Sequence, residues 1–179
     1  MSLHEFDPPD RFVAGTVGPP GQRTFFLQAS EGRRLTSVSL EKQQVDVLAT
    51  RINDLLDSYA GGAGADHVAA EVVDNAPLDT PIEDEFRVNT LALAWDEDRQ
   101  VIIIEALDRD PDDPEASLDP DVLTTEPRQV RVVLSPARAR AFARRAQSIV
   151  AAGRPPCPFC GGPLEVEGHI CPRANGYKR

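Results

Sequence analysis

Residues 34–59 read RLTSVSLEKQQVDVLATRINDLLDSY, and the change of period inside this stretch decides the fold class. The first part alternates. Thr36, Val38 and Leu40 fall on one side of an extended chain, as in a half-buried strand. From residue 41 the spacing becomes helical. Val45, Leu48, Ile52, Leu55, Leu56 and Tyr59 make a single apolar stripe over a helix of about residues 41–59. Ser39 is placed to cap its start, and Gly61-Gly62 to stop it.

Toward the N-terminus, residues 10–17 (DRFVAGTV) and 22–29 (QRTFFLQA) read as strands. The turn Gly18-Pro19-Pro20-Gly21 separates them, and Ser30-Glu31-Gly32-Arg33 makes a tight reversal into residues 34–40. Toward the C-terminus, residues 60–82 read as a linker rich in Gly, Ala, Asp and Pro, and then the pattern recurs. Residues 86–95 (FRVNTLALAW) read as a strand, and Asp96-Glu97-Asp98 as a turn. Residues 99–107 read as a strand that Val101-Ile102-Ile103-Ile104 makes apolar on both faces, which suits an interior position. An acidic, proline-containing loop (108–126) leads to a strand over 128–134. Ser135-Pro136 then opens a helix to about residue 152, with Phe142, Ala143, Ala146, Ile149 and Val150 inward. Gly153 ends it, and Arg154-Pro155-Pro156 is a stiff connector. The order is βββα twice. It predicts an α+β body over residues 1–153, a structural duplication of 1–62 and 83–153. Antiparallel sheet is packed by two helices, and a short tail (154–179) follows.

The chain has 179 residues, 41% hydrophobic and 27% charged, enough for one domain with a core. No run of 18 apolar residues suggests a membrane span, and the polar, acidic start does not read as a signal peptide. Both point to a cytoplasmic protein. The net charge of −10 is uneven. Residues 1–127 hold 27 acidic against 9 basic side chains (−18), and residues 128–179 hold 2 against 10 (+8). The acidic whole disfavours unassisted nucleic-acid binding, and the basic third leaves a local patch available.

All three cysteines lie between Cys157 and Cys171, an arrangement that suits a metal better than a disulfide framework. With His169 they give the spacing C-x2-C-x8-H-x-C. Three thiolates and one imidazole suit tetrahedral zinc. Two residues between Cys157 and Cys160 let one turn present both sulfurs. His169 and Cys171, two apart in an extended segment, face the same way. Four protein ligands close the coordination sphere, so the expected zinc is structural rather than catalytic. A Cys160–Cys171 disulfide and a redox Cys157–Cys160 pair are the competing readings. The second fits poorly, because prolines and glycines surround the pair where a strand and a helix are needed.

The tail, with Cys157-Pro-Phe-Cys160-Gly-Gly-Pro-Leu and Gly168-His169-Ile-Cys171-Pro-Arg-Ala-Asn-Gly176-Tyr177, resembles the C-terminus of an uncharacterised actinobacterial domain-of-unknown-function family. Residues 86–96 resemble it too, so the likeness spans the chain. It implies a zinc-ribbon-like tail and a bacterial cytosolic setting, and no activity. The spacing departs from that of retroviral zinc knuckles, so their RNA binding does not carry over.

Other candidates are weaker. Glu105, after the apolar run, would be a general base if buried, and a water-facing carboxylate otherwise. Glu83, Asp84, Glu85 and the acidic loop offer oxygen ligands without an EF-hand pattern. His4 and His67 lie in linker-like segments, and no catalytic triad, P-loop or dinucleotide fingerprint is present. Arg138, Arg140, Arg144 and Arg145 decorate the second helix and, with Arg173, form a candidate contact surface beside Phe159 and Tyr177. The sequence thus leads to a zinc-binding, non-enzymatic interaction protein. Cys157, Cys160, His169 and Cys171 hold the metal, and Phe159, Arg138, Arg145, Arg173 and Tyr177 meet a protein partner. Nucleic-acid binding through helix and tail, or an enzyme acting on a phosphorylated substrate, are the alternatives.

Overall fold

The computed structural model describes residues 2–19, 21–60, 73–110, 112, 126–152 and 157–160. Among them the chain runs β1 (Ser2–Phe6), β2 (Arg11–Val17), β3 (Thr24–Glu31), β4 (Arg34–Leu40), α1 (Lys42–Tyr59), β5 (Asp84–Arg87), β6 (Thr90–Asp96), β7 (Val101–Leu107), β8 (Arg128–Leu134) and α2 (Pro136–Ala151). The expected α+β class and both helices are present.

The strands form two sheets, ordered β1-β8-β7-β6 and β2-β3-β4-β5. This corrects the expectation of antiparallel sheet alone. Each sheet has a three-stranded antiparallel meander and one added strand, parallel to the last strand of that meander. The added strand comes from the other half of the chain. β1 precedes the β2–β4 meander yet pairs with β8, Phe6 opposite Val132. β5 precedes the β6–β8 meander yet pairs with β4. Each half thus lends its first strand to the other half's sheet.

The exchange explains why residues 86–95 are not one strand. The Val88 N–H bonds to Ser39 O in one sheet, and the next N–H, of Asn89, bonds to Leu107 O in the other. Ser39 has a different task from the cap expected of it. Its N–H and hydroxyl donate to Asp84 (3.1 and 2.5 Å), tying β5 to β4. Glu41 is the N-cap of α1, and its N–H is taken by the Gln44 side chain. Ser135 caps α2 as expected, with Pro136 in the first turn.

The inner faces of both sheets and of both helices share one core. It includes Phe6, Leu27 and Val38, then Ile102, Ile104 and Val132, with Val45, Ile52 and Leu56 of α1 and Phe142 of α2. Ala49, Ala139, Ala143 and Ala146 are buried between elements, and their small side chains let the helices approach closely. β7 is interior, as its apolar run requires. Tyr59 departs from its expected inward place: it is 57% exposed.

The outer face of the second sheet carries Val13, Phe26 and Gln28 and is not left to solvent. Residues 74–82, expected to be linker, lie across it as a strap. Leu78 sits where a side chain on Gly15 would be; a Cβ there would approach Leu78 to 2.5 Å. Gln28 holds the strap by its main chain, accepting from Asp79 N–H (2.8 Å) and donating to Asp79 O (3.0 Å). Gly15→Ala should destabilise the chain by about 1–3 kcal/mol through overpacking. In a Leu78→Ala background the same change should cost far less, because the clashing atoms are gone. Urea titration of the four proteins tests this, and equal costs in both backgrounds would refute the contact.

Candidate functional site

The arginines of α2 were expected on an open basic face, and most point inward. Arg140 is buried between the helices and donates to Asn53 Oδ1 (2.7 Å) and Asp57 Oδ1 (2.6 Å) of α1. Arg138 donates to Pro9 O and Asp10 O, ahead of β2. Arg145 donates from Nε to Ala14 O (2.9 Å) on the edge of β2, and from Nη1 to Asp74 O and Ala76 O (2.8 and 2.7 Å) in the strap. These groups order the body, which narrows the surface left for a partner.

No pattern in the sequence marks Arg11, the centre of this cluster. It opens β2 and reaches the strap with its whole fork. Nε and Nη2 take the two Asp74 oxygens (2.6 and 3.1 Å), Nη1 takes Asp79 Oδ2 (3.1 Å), and Nη2 also meets Ala76 O and Pro77 O (both 2.9 Å). The hydrogen bond from Arg11 is the main reason the Asp74 carboxyl is held below the usual carboxylate range. Burial opposes the shift, and the Ala76 N–H adds to it. Burial pulls Arg145 down, and the Asp74 charge offsets part of that. Asp10, Arg11, Asp74, Arg138 and Arg145 line a small pocket of about 80 Å³ with Phe12 and Phe142. It sets carboxylates beside basic groups, as chemistry on a phosphorylated substrate would need. Its three guanidinium groups are already held by the chain's own oxygens.

Several other carboxylates are similarly engaged. Glu105 stands half-buried on the outer face of the first sheet, 3.8 Å from Arg131, which also lies 3.6 Å from Glu5. Asp84 takes the Ser39 bonds. Asp108 receives Arg128 Nε (3.1 Å) and Arg109 Nε (3.3 Å). Asp7 receives both Nη groups of Arg99 at 2.8 Å, and that hydrogen bonding lowers its pKa. Among the described residues no group of three His, Cys, Asp or Glu side chains stands ready for a metal.

Of the expected zinc ligands, Cys157 and Cys160 are described; His169 and Cys171 lie outside the described residues, as do Arg173 and Tyr177. Cys157 is buried and Cys160 half-buried, at the two ends of a turn over residues 158–160. Phe159, inside that turn, is 65% exposed. No helix among the described residues is long and apolar enough to cross a membrane.

A family described as protein of unknown function (DUF3090) matches residues 4–171, and the chain belongs to it. No curated protein and no solved structure matches the chain.

Proposed function

We propose that this member of the DUF3090 family is a zinc-binding, non-enzymatic interaction protein of the bacterial cytoplasm. Cys157, Cys160, His169 and Cys171 hold one structural zinc, which fixes a ribbon-like tail against which a protein partner docks. The observation that carries this reading is the Cys157–Cys160 turn, with one sulfur buried and Phe159 turned out. The donor set supports it: three thiolates and an imidazole are a closed tetrahedral set for zinc, with no position open to water. A tail this short has little apolar core of its own, so metal binding would supply much of its folding free energy. Arg138 and Arg145 serve the body, so the contact surface rests on Phe159, Arg173 and Tyr177. The same inward turn of Arg138, Arg140 and Arg145 weakens the nucleic-acid alternative. The enzyme alternative is limited by the small size of the arginine pocket and by the pairing of its charges.

The test is elemental analysis of the full chain together with partner capture from native cells. One zinc per chain is expected, falling to background in Cys160→Ala and in Cys171→Ala. Those variants should lose a nuclease-resistant partner while the body keeps its melting temperature. Zinc at background in the wild-type chain, or a partner retained by Cys160→Ala, would overturn the proposal.

A further inference from the structure

The two sheets have four edges, and three of them are guarded by arginine. On β1, Arg34 donates to Glu5 O (2.6 Å). On β2, Arg145 donates to Ala14 O (2.9 Å). On β5, only four residues long and irregular in register, Arg128 donates to Glu85 O (2.5 Å). The fourth edge is β6. It is seven residues long, regular against β7 from Thr90 to Asp96, and uncharged from Thr90 to Trp95. Among the described residues no side chain donates to its main chain. Such an edge is a template for another strand.

We propose that β6 pairs antiparallel with β6 of a second copy of this chain, joining the two first sheets into one continuous sheet about a twofold axis at Leu93. The strand TLALAWD is close to palindromic in size about that residue. Leu93 meets Leu93, Ala92 meets Ala94, Leu91 meets Trp95, and Thr90 meets Asp96. An isologous contact demands this self-complementarity. The antiparallel sense also separates the acidic turns Asp96-Glu97-Asp98 of the two copies to opposite ends, each beyond the Thr90 end of the other strand. A parallel pair would set the two acidic turns side by side.

A second surface fits the same operation. Leu91 and Leu93 lie on the α1 side of the sheet and, with Val47, Leu55 and Tyr59, line an open groove of about 520 Å³. Val47 is 51% exposed, and Tyr59 stacks on Trp95 at 6.0 Å. A twofold axis normal to the sheet puts α1 of both copies on the same face, so each groove is covered by the apolar edge of the other copy. The charged residues of the groove are one of each sign, Arg51 and Asp54, which a twofold can pair crosswise.

Sedimentation equilibrium of the full chain, in reductant and with and without a zinc chelator, is the test. The expected species has twice the 19.5 kDa chain mass, chelator or not. Trp95, the only tryptophan, should shift its emission as dilution splits the dimer. Ala92→Lys/Ala94→Lys places lysines opposite lysines across the axis at exposed positions, so the fold should survive and the mass should halve. Ala92→Glu/Ala94→Glu should be monomeric too, and mixing the two variants should restore the doubled mass. A monomeric wild-type chain at a few hundred micromolar, a dimer lost on chelation, or a lysine variant that stays dimeric would each overturn the proposal. Zinc content measured on the same samples keeps this outcome separate from that of the tail.

Discussion

Arg11→Ala is expected to lower the unfolding free energy by about 3 kcal/mol, near the lower end of what breaking a buried ion pair costs. The change removes one guanidinium that holds Asp74, Asp79, Ala76 O and Pro77 O together. The effect stays at the lower end because Asp74 is 35% exposed and keeps Arg145 at 3.4 Å. For a chain of this length the melting temperature should fall by roughly 6–12 °C. Arg11→Lys should recover only a small part, since an ammonium cannot reproduce the planar fork. The strap should loosen first, so amide exchange at residues 74–79 should rise more than at β7. Equal protection of the strap in variant and wild type would refute its dependence on Arg11.

The same pair fixes a pH dependence. Asp74 titrates lower in the folded chain than in the unfolded one. Its contribution is therefore complete above the unfolded carboxylate pKa of about 3.9 and is lost as pH falls through the folded value. Asp7, held down by Arg99, acts in the same direction. The stability gap between wild type and Arg11→Ala should accordingly be constant near neutrality and narrow on acidification below about pH 4.

Most of the regular structure was legible because it is locally periodic. The stripe of α1, the Ser135-Pro136 start of α2 and the two meanders are each written within a few residues. The exchanged strands were not. β1 buries little except Phe6, and the rest of Ser2–Glu5 faces outward or the sheet edge, so no period marks it. β5 buries only Phe86 and merges in sequence with β6, although Val88 and Asn89 bond to different sheets. The arginine cluster was half legible. The four basic residues of α2 were plain, but Arg145 reaches Asp74 across 71 residues, and Arg140 reaches Asp57 and Asn53 across 83 and 87. Nothing in the local pattern separates an arginine facing water from one reaching such a distant oxygen. The turn between Cys157 and Cys160 was legible because only two residues separate them.

Phe6→Ala should be the most damaging change at the N-terminal end, at about 4 kcal/mol, the usual range for emptying a buried phenylalanine site. Phe6 is fully buried in the shared core, faces Val132 in register, and lies 4.6 Å beneath the Arg34 guanidinium from the other sheet. It is the apolar anchor of β1, so its loss should leave that strand held by main-chain pairing, by Arg34 and by the Glu5–Arg131 ion pair. Amides of residues 2–6 should lose their protection at concentrations of urea far below the global midpoint. The effect should not stop there, because β1 closes the sheet that belongs to the second half of the chain. Trp95 fluorescence reports on that half, and far-UV circular dichroism on both. The two signals should still fall together in Phe6→Ala, at one lowered midpoint, since one core joins the halves. Two separate transitions would mean that each meander with its helix folds as its own unit, and that the exchanged strands join two domains rather than build one.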